Sequence, residues 1–419
     1  IELYQRVREI DGPRTILIGA EADRPPGLRA QDVRWEDLAV DVGRGDSHAG
    51  SPDDVTNVLF SSGTTGDPKA IPWTHLTAIK AAMDGHFHQD IRPTDVVAWP
   101  TNIGWMMGPW LIFATLINRA TMALYQDVPT RSGFVRFVQD AEVTVLGLVP
   151  SLVRAWRGLE TVSDDWRKIR VLSSTGEPSD VEDYLWLMSR TGYRAPVIEY
   201  CGGTEIGGGY ITGTVVQPAA PSTFTTPALG LDLVLVDEED RLVCGEGVGE
   251  TYLVPPSIGL SQRLLNRDHD EVYHAGCPTG PDGELLRRHG DRMARLRDGR
   301  YEARGRADDT MNLGGIKVGS LEIERVLADH PAVAEAAAVG VQAAGRGAER
   351  LVVFASLSEE IAPDRLRQEL TQILARRLNP LFKVHDLVTV EALPRTASNK
   401  LMRRALRDRY ASKTQRRDD

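Results

Sequence analysis

Between about Val55 and Tyr200, short β-branched apolar runs alternate with segments of helical period, and this recurrence restricts the fold more than anything else in the chain. Parallel strands need a long return connection, which a helix supplies, so the alternation predicts a mainly parallel sheet with crossover helices. Strands are expected at 55–60, 95–99, 143–149, 170–174 and 196–200. Thr74 is placed to cap a helix whose residues Leu76, Ile79, Met83 and Phe87 fall on one face, and a second helix is expected from Ser179. The apolar run 106–117, interrupted by Gly108 and Pro109, falls short of the ~20 residues that span a bilayer and reads as a buried helix. Ligands of open α/β sheets gather beyond the carboxyl ends of the strands, which directs attention to the loops there.

Beyond about Pro227 the pattern changes to short strands and turns, predicting an antiparallel or barrel-like subdomain. After Arg306 it becomes a compact α+β pattern. A helix is expected at 320–328, strands near 333–341 and 350–357, and an amphipathic helix from Asp364 with the stripe Leu366, Leu370, Ile373, Leu374 and Leu378. A chain of 419 residues is too long for one ordinary core. We therefore expect a large α/β N-terminal domain with a β-rich subdomain over 1–306 and a small, mobile α+β C-terminal domain over 307–419. The net charge of −10 argues against a general nucleic-acid binder. Cys201, Cys244 and Cys277 have neither disulfide-framework nor zinc spacing, which suits a reducing cytosol.

The chemistry-bearing residues begin with Ser61-Ser62-Gly63-Thr64-Thr65-Gly66-Asp67-Pro68-Lys69, set after a strand and before a helix. Glycines let backbone N–H groups approach an anion, hydroxyls add donors and Lys69 adds charge, so the loop suits phosphate. Pro68 stands where a Walker A loop needs its second glycine. Taken alone, such a loop is more often an ordinary turn. Further along come Gly176-Glu177-Pro178, then Glu199-Tyr200-Cys201-Gly202-Gly203-Thr204-Glu205 and His289-Gly290-Asp291. The C-terminal part adds Gly305-Arg306-Ala307-Asp308-Asp309, Asn312-Leu313-Gly314-Gly315-Ile316-Lys317 and Pro394-Arg395-Thr396-Ala397-Ser398-Asn399-Lys400.

In this order the motifs resemble those of the adenylate-forming superfamily of acyl-CoA synthetases, peptide-synthetase adenylation domains and luciferases. Residues 99–105, with Gly104-Trp105, resemble the pocket segment of acetyl-CoA-synthetase-like members. The resemblance implies an ATP-dependent acid:CoA ligase that forms an acyl-AMP and then an acyl-CoA thioester. Ser62, Gly63, Thr64, Thr65, Gly66 and Lys69 would hold phosphate, and Gly176, Glu177 and Pro178 would form the adenine turn. Nucleotide contacts would also come from Glu199, Tyr200, Cys201, Gly202, Gly203, Thr204, Asp291, Arg306 and Lys317. Glu205 would hold Mg²⁺, which prefers hard oxygen ligands, and Lys400 would serve adenylation together with Thr204, Glu205 and Lys69. Asp308 would be the hinge, Gly314 and Gly315 would meet coenzyme A, and Trp105, Met106 and Gly202 would line the acyl pocket.

Gly202 stands where acetate-specific relatives carry a tryptophan closing the pocket floor. An open pocket is therefore expected, with an acid of about four or more carbons preferred. Three departures accompany the resemblance. Cys201, with Tyr200 beside it, replaces the usual adenine-stacking aromatic. Asn399 replaces a glycine before Lys400. The lead before Ser61 is much shorter than in relatives and begins at Ile1, so the front of the N-terminal domain is expected to be missing. Asp268, His269, Asp270, Glu271 and His274 could suggest a metal site, although sequential acidic residues in a loop are usually solvated. Rival readings are an adenylation enzyme loading a carrier protein and an inactive or binding-only fragment. The expected partners are a carboxylic acid, ATP and coenzyme A, in the cytoplasm, with no membrane span; a homodimer is compatible with the sequence.

Overall fold

The computed structural model describes residues 16–17, 28–34, 37, 49–61, 68–159, 166–177, 179–313, 316–342, 349–395 and 401–418. The chain divides into two units, Ile1–Ser51 and Pro52–Asp419. In the first, β1 (Ile16–Leu17) pairs in parallel with β2 (Val33–Arg34). Arg29 Nε donates to Asp32 Oδ2 at 2.8 Å there.

The second unit opens with β3 (Val55–Ser61) and β4 (Lys69–Thr74), an antiparallel two-stranded ribbon. This corrects the expectation that 55–60 joins the parallel sheet. Pro72 hid β4 in the sequence, because proline argues against a strand except where an edge is open, and a ribbon of two strands has one on each side. Thr74 then caps α1 (His75–Phe87), its backbone N–H donating to Thr77 Oγ1 at 3.1 Å.

The buried face of α1 is not the predicted one. Thr77, Ala78, Lys80, Ala81, Ala82, Asp84 and Gly85 are buried, whereas Ile79 and Phe87 are exposed. Small residues win the inner face because α2 (Met107–Ile117) lies close against it, with Asn118 Nδ2 donating to Ala82 O at 2.9 Å and Ala114 O at 2.8 Å. Lys80 and Asp84 tolerate burial as an ion pair that also binds Tyr200 and Gly209.

The main sheet is built from β5 (Val96–Ala98), β6 (Thr121–Ala123), β7 (Val145–Leu148), β8 (Val171–Ser174), β9 (Val197–Gly203), β10 (Gly208–Thr212) and β11 (Thr226–Pro227). Their order is β11-β10-β9-β8-β7-β5-β6, parallel from β9 to β6 and antiparallel at β10 and β11. The helices α3 (Ser132–Asp140), α4 (Pro150–Arg157) and α5 (Val181–Arg190) interleave these strands. Proline opens α4, and Asp180 caps α5 by accepting from Glu182 and Asp183 N–H. Two aromatic cores result, one holding Trp73, Trp99, Trp110 and Tyr200, the other Phe134, Trp156, Trp166 and Tyr184.

The switch beyond Pro227 is as expected. β12 (Asp232–Val236), β13 (Gly247–Val254), β14 (Arg287–Arg295) and β15 (Tyr301–Arg306) form an antiparallel sheet, with the short α6 (His269–Tyr273) between β13 and β14. The C-terminal part adds β16 (Thr310–Leu313), β17 (Ile316–Gly319), α7 (Ser320–Leu327), β18 (Val333–Gln342), β19 (Glu349–Leu357), α8 (Pro363–Arg377), β20 (Val384–Thr389) and α9 (Arg403–Asp418). Leu366, Leu370 and Leu374 of the predicted α8 stripe are buried. Among the described residues no helix is long and apolar enough to cross a membrane.

Candidate active site

The turn between β9 and β10 is fixed before any side chain acts. Ile206 and Gly207 N–H groups donate to Gly203 O at 3.0 and 3.2 Å. Trp73 Nε1 of β4 donates to Thr204 O at 2.8 Å, and Ser261 N donates to Glu205 O at 2.8 Å. Glu205 is thereby held among cations. Burial would push its carboxyl up, but Lys69, His289 and Arg287 oppose that and hold it at about 2, so it is ionised.

Lys69 at the start of β4 lies over the Tyr273 ring at 4.8 Å, and the Arg287 guanidinium lies over the same ring at 4.1 Å. Burial lowers the pKa of both cations, and Glu205 partly restores each. Arg287 is anchored through Nη1 to Ser261 O at 2.8 Å and through Nη2 to Ser261 Oγ at 2.7 Å.

Asp291 on β14 completes the cluster. Tyr210 OH donates to its Oδ2 at 2.8 Å, His289 Nε2 lies 3.1 Å from the same oxygen, and Arg306 Nη1 donates to Oδ1 at 3.0 Å. Burial alone would raise this carboxyl, yet His289, Arg306 and Tyr210 hold it far below the usual range. Gly290 stands here at φ +86°, a left-handed conformation that residues with a Cβ rarely adopt.

Lys69, Glu205, Asp291 and Arg306 of the predicted set therefore share one electrostatic cluster. Ser62, Gly63, Thr64, Thr65, Gly66, Pro178, Gly314, Gly315 and Lys400 lie outside the described residues, as do the side chains of Asp308 and Lys317. Cys201 is close by, its Sγ 3.7 Å from Asp291 Oδ2. Glu177 accepts from Ser151 N and Oγ at 2.9 Å each and so caps α4 with its carboxylate. Trp105 is half-exposed beside α2, and Met106 packs on the core holding Trp110 and Tyr200.

Three placements differ from expectation. Tyr200 is 1% exposed and donates to Asp84 Oδ2 at 2.6 Å, so its ring belongs to the core instead of a nucleotide surface. Gly202 does not open a pocket. Its Cβ direction meets Gly208 O at 1.9 Å because the β9–β10 pairing brings the second strand's backbone there. Glu199 is buried and takes a hydrogen bond from Ser179 Oγ.

Burial pushes the Glu199 carboxyl up from 4.5 to about 7, against the hydrogen bonds from Ser179 and Ser222. The folded chain thus keeps a proton that the unfolded chain loses near pH 4.5, and stability falls as pH rises from there to about 7. Glu199→Gln is expected to flatten that slope and to be more stable than the unmodified protein above pH 7 by about 2–3 kcal/mol. Urea unfolding at pH 5 and pH 8 checks this; an unchanged slope would show that Glu199 ionises freely in the fold.

Arg287 and Tyr273 escaped the sequence reading. Arg287 had a usable signal, since it precedes His289 and Asp291 at two-residue intervals on one strand. Tyr273 had none, being brought in by a one-turn helix.

The ionised Glu205 carboxylate among Lys69, Arg287 and His289 fits a hard divalent cation that takes its other ligands from phosphate and water. The surrounding positive charge, to which Arg306 and Arg267 contribute, suits a polyanion. Among the described residues His289 Nδ1 is buried without a hydrogen-bond partner, 4.0 Å from Glu205 Oε1, and is available to a ligand.

Residues 4–259 match the family described as AMP-binding enzyme, and residues 322–400 match the AMP-binding enzyme C-terminal domain. A probable acyl-activating enzyme 17, peroxisomal, from Arabidopsis thaliana is 48% identical over 97% of this chain and 58% of its own length. A hexanoyl-CoA synthase from Cannabis sativa is 48% identical over 98% of this chain and 59% of its own length. The chain thus spans about three fifths of the length of these curated relatives. In fold it is similar to acetoacetyl-CoA synthetase from Streptomyces lividans, with TM-score 0.80 and 23% identity over 96% of this chain and 61% of that one.

Proposed function

Since this chain belongs to the AMP-binding enzyme family, we propose that it takes part in activating a carboxylic acid with ATP as an acyl-AMP and in passing the acyl group to coenzyme A. The observation that carries this reading is the ionised Glu205, buried among Lys69, His289 and Arg287. Such a cluster offers one hard ligand to a metal and several charges to phosphate. Bound through Glu205, Mg²⁺ would supply further positive charge against the phosphate oxygens. Lys69, Arg287 and Arg306 would orient the α-phosphate and offset the charge that builds as the carboxylate attacks and pyrophosphate leaves. Asp291 would meet ribose hydroxyls through the acceptor positions that Tyr210, His289 and Arg306 leave free.

In the same reading residues 307–419 form a lobe that turns about Asp308. It would present Lys400 for adenylation and then Gly314 and Gly315 to the thiol. The positions of Cys201, Cys244 and Cys277 in the sequence, with neither disulfide-framework nor zinc spacing, support a reducing compartment such as the cytosol.

The 48% identity to a protein named hexanoyl-CoA synthase supports a medium-chain acid, an argument independent of Gly202. Four added methylenes at ~0.8 kcal/mol each favour hexanoate over acetate by ~10² in kcat/KM if the chain is buried. The test is pyrophosphate and acyl-CoA formation from acetate, butyrate, hexanoate, octanoate and benzoate, with and without coenzyme A. Acetate preferred over hexanoate would overturn the acid class. Pyrophosphate release without thioester formation would point to a carrier-protein acceptor.

A further inference from the structure

We infer that His269, Asp270 and His274, around α6, form a binding site for a divalent transition cation of the zinc type. One ligand atom from each lies within 4.8 Å of the others. Tetrahedral zinc, with bonds of ~2.1 Å, sets its donors ~3.4 Å apart, so closure asks for shifts of roughly 1.5 Å or less. The Asp270 carboxylate, 88% exposed, is free to adjust toward the rings.

What separates this group from an ordinary solvated cluster is how its two rings are held. His269 Nε2 lies 2.8 Å from Ser261 O and His274 Nδ1 lies 3.1 Å from Leu286 O. A carbonyl accepts only, so each ring spends its N–H there and turns its other nitrogen outward as a lone pair. That is how metal-bound histidines are oriented by a second partner. His269 Nδ1 consequently faces Asp270 Oδ1 at 3.3 Å, close to the donor spacing that a shared zinc-type ion needs. Two imidazoles and one carboxylate favour zinc-like ions over magnesium. The neighbouring Asp268 is occupied in capping α6 through Glu271 N–H at 2.7 Å.

The site also touches the candidate active site. Ser261 O, which accepts from His269, accepts from Arg287 as well, and Ser261 N–H donates to Glu205 O. Occupancy would therefore stiffen the segment that holds Arg287 and the Glu205 turn.

The test is calorimetric titration of the chelator-stripped protein with zinc chloride, with millimolar magnesium present throughout. One equivalent of zinc is expected to bind and to raise the thermal midpoint. Asp270→Asn, at an exposed position, and His274→Gln are each expected to weaken binding by at least about tenfold and to abolish the thermal shift. No stoichiometric binding, or equal affinity in both variants, as would occur if cysteines held the zinc, overturns the assignment.

Discussion

Glu205→Gln is expected to lower acid-dependent pyrophosphate release by about 10²–10³, the scale for removing one oriented charge stabiliser in a closed site. The substitution keeps the side chain's shape and removes only its charge. Two consequences follow from the surroundings. The site loses its candidate hard ligand for the metal, and Lys69, Arg287 and His289 lose the carboxylate that offsets them. Lys69, whose pKa burial already lowers and Glu205 partly restores, would then hold its proton less tightly. The defect should include a higher requirement for magnesium and a change in the pH profile on its alkaline side. An unfolding midpoint close to that of the unmodified protein would separate this from collapse of the turn, which Trp73 and Ser261 hold through backbone oxygens. Activity within a few-fold of the unmodified protein would remove Glu205 from the reaction.

The parallel sheet was legible because β-branched runs in β5, β7, β8 and β9 are buried on both sides and read as continuous apolar stretches. The antiparallel ribbon was not, because Pro72 disguises β4. The inner face of α1 was misread for a different reason. Periodicity finds large apolar residues, whereas this face is chosen by close helix approach and by the buried group of Lys80, Asp84 and Tyr200. At the candidate site, the motif resemblance singled out Glu205 and Asp291 but could not show what holds them. The role of Arg287 depends on a strand register, and that of Tyr273 on where the one-turn helix α6 falls against Lys69 and Arg287. Gly202 marks a further limit, since an alignment position reports which residue is absent and not which backbone has moved into the space.

Lys400→Ala is expected to cut acyl-AMP formation by about 10²–10³ while leaving thioester formation from supplied acyl-AMP within a few-fold of the unmodified rate. The residue itself lies outside the described structure, but both sides of its segment are fixed. Arg395 and Leu401 form an antiparallel bridge, and Met402 N donates to Pro394 O at 2.9 Å. Just beyond, Arg403 donates to Asp309 Oδ2 at 3.0 Å and to Glu324 Oε2 at 2.7 Å. These ties join the base of α9 to the first residues after Arg306. Breaking them singly would leave buried charge unpaired, at several kcal/mol. Any movement of Lys400 toward or away from the candidate site would therefore carry β16, α7 and α9 together, and under the proposed reading the lobe would turn at residues 307–309. On that account the lysine acts in only one of the two orientations. Loss of both half-reactions to the same extent would mean that a single arrangement serves both, and the rotation would have to be abandoned.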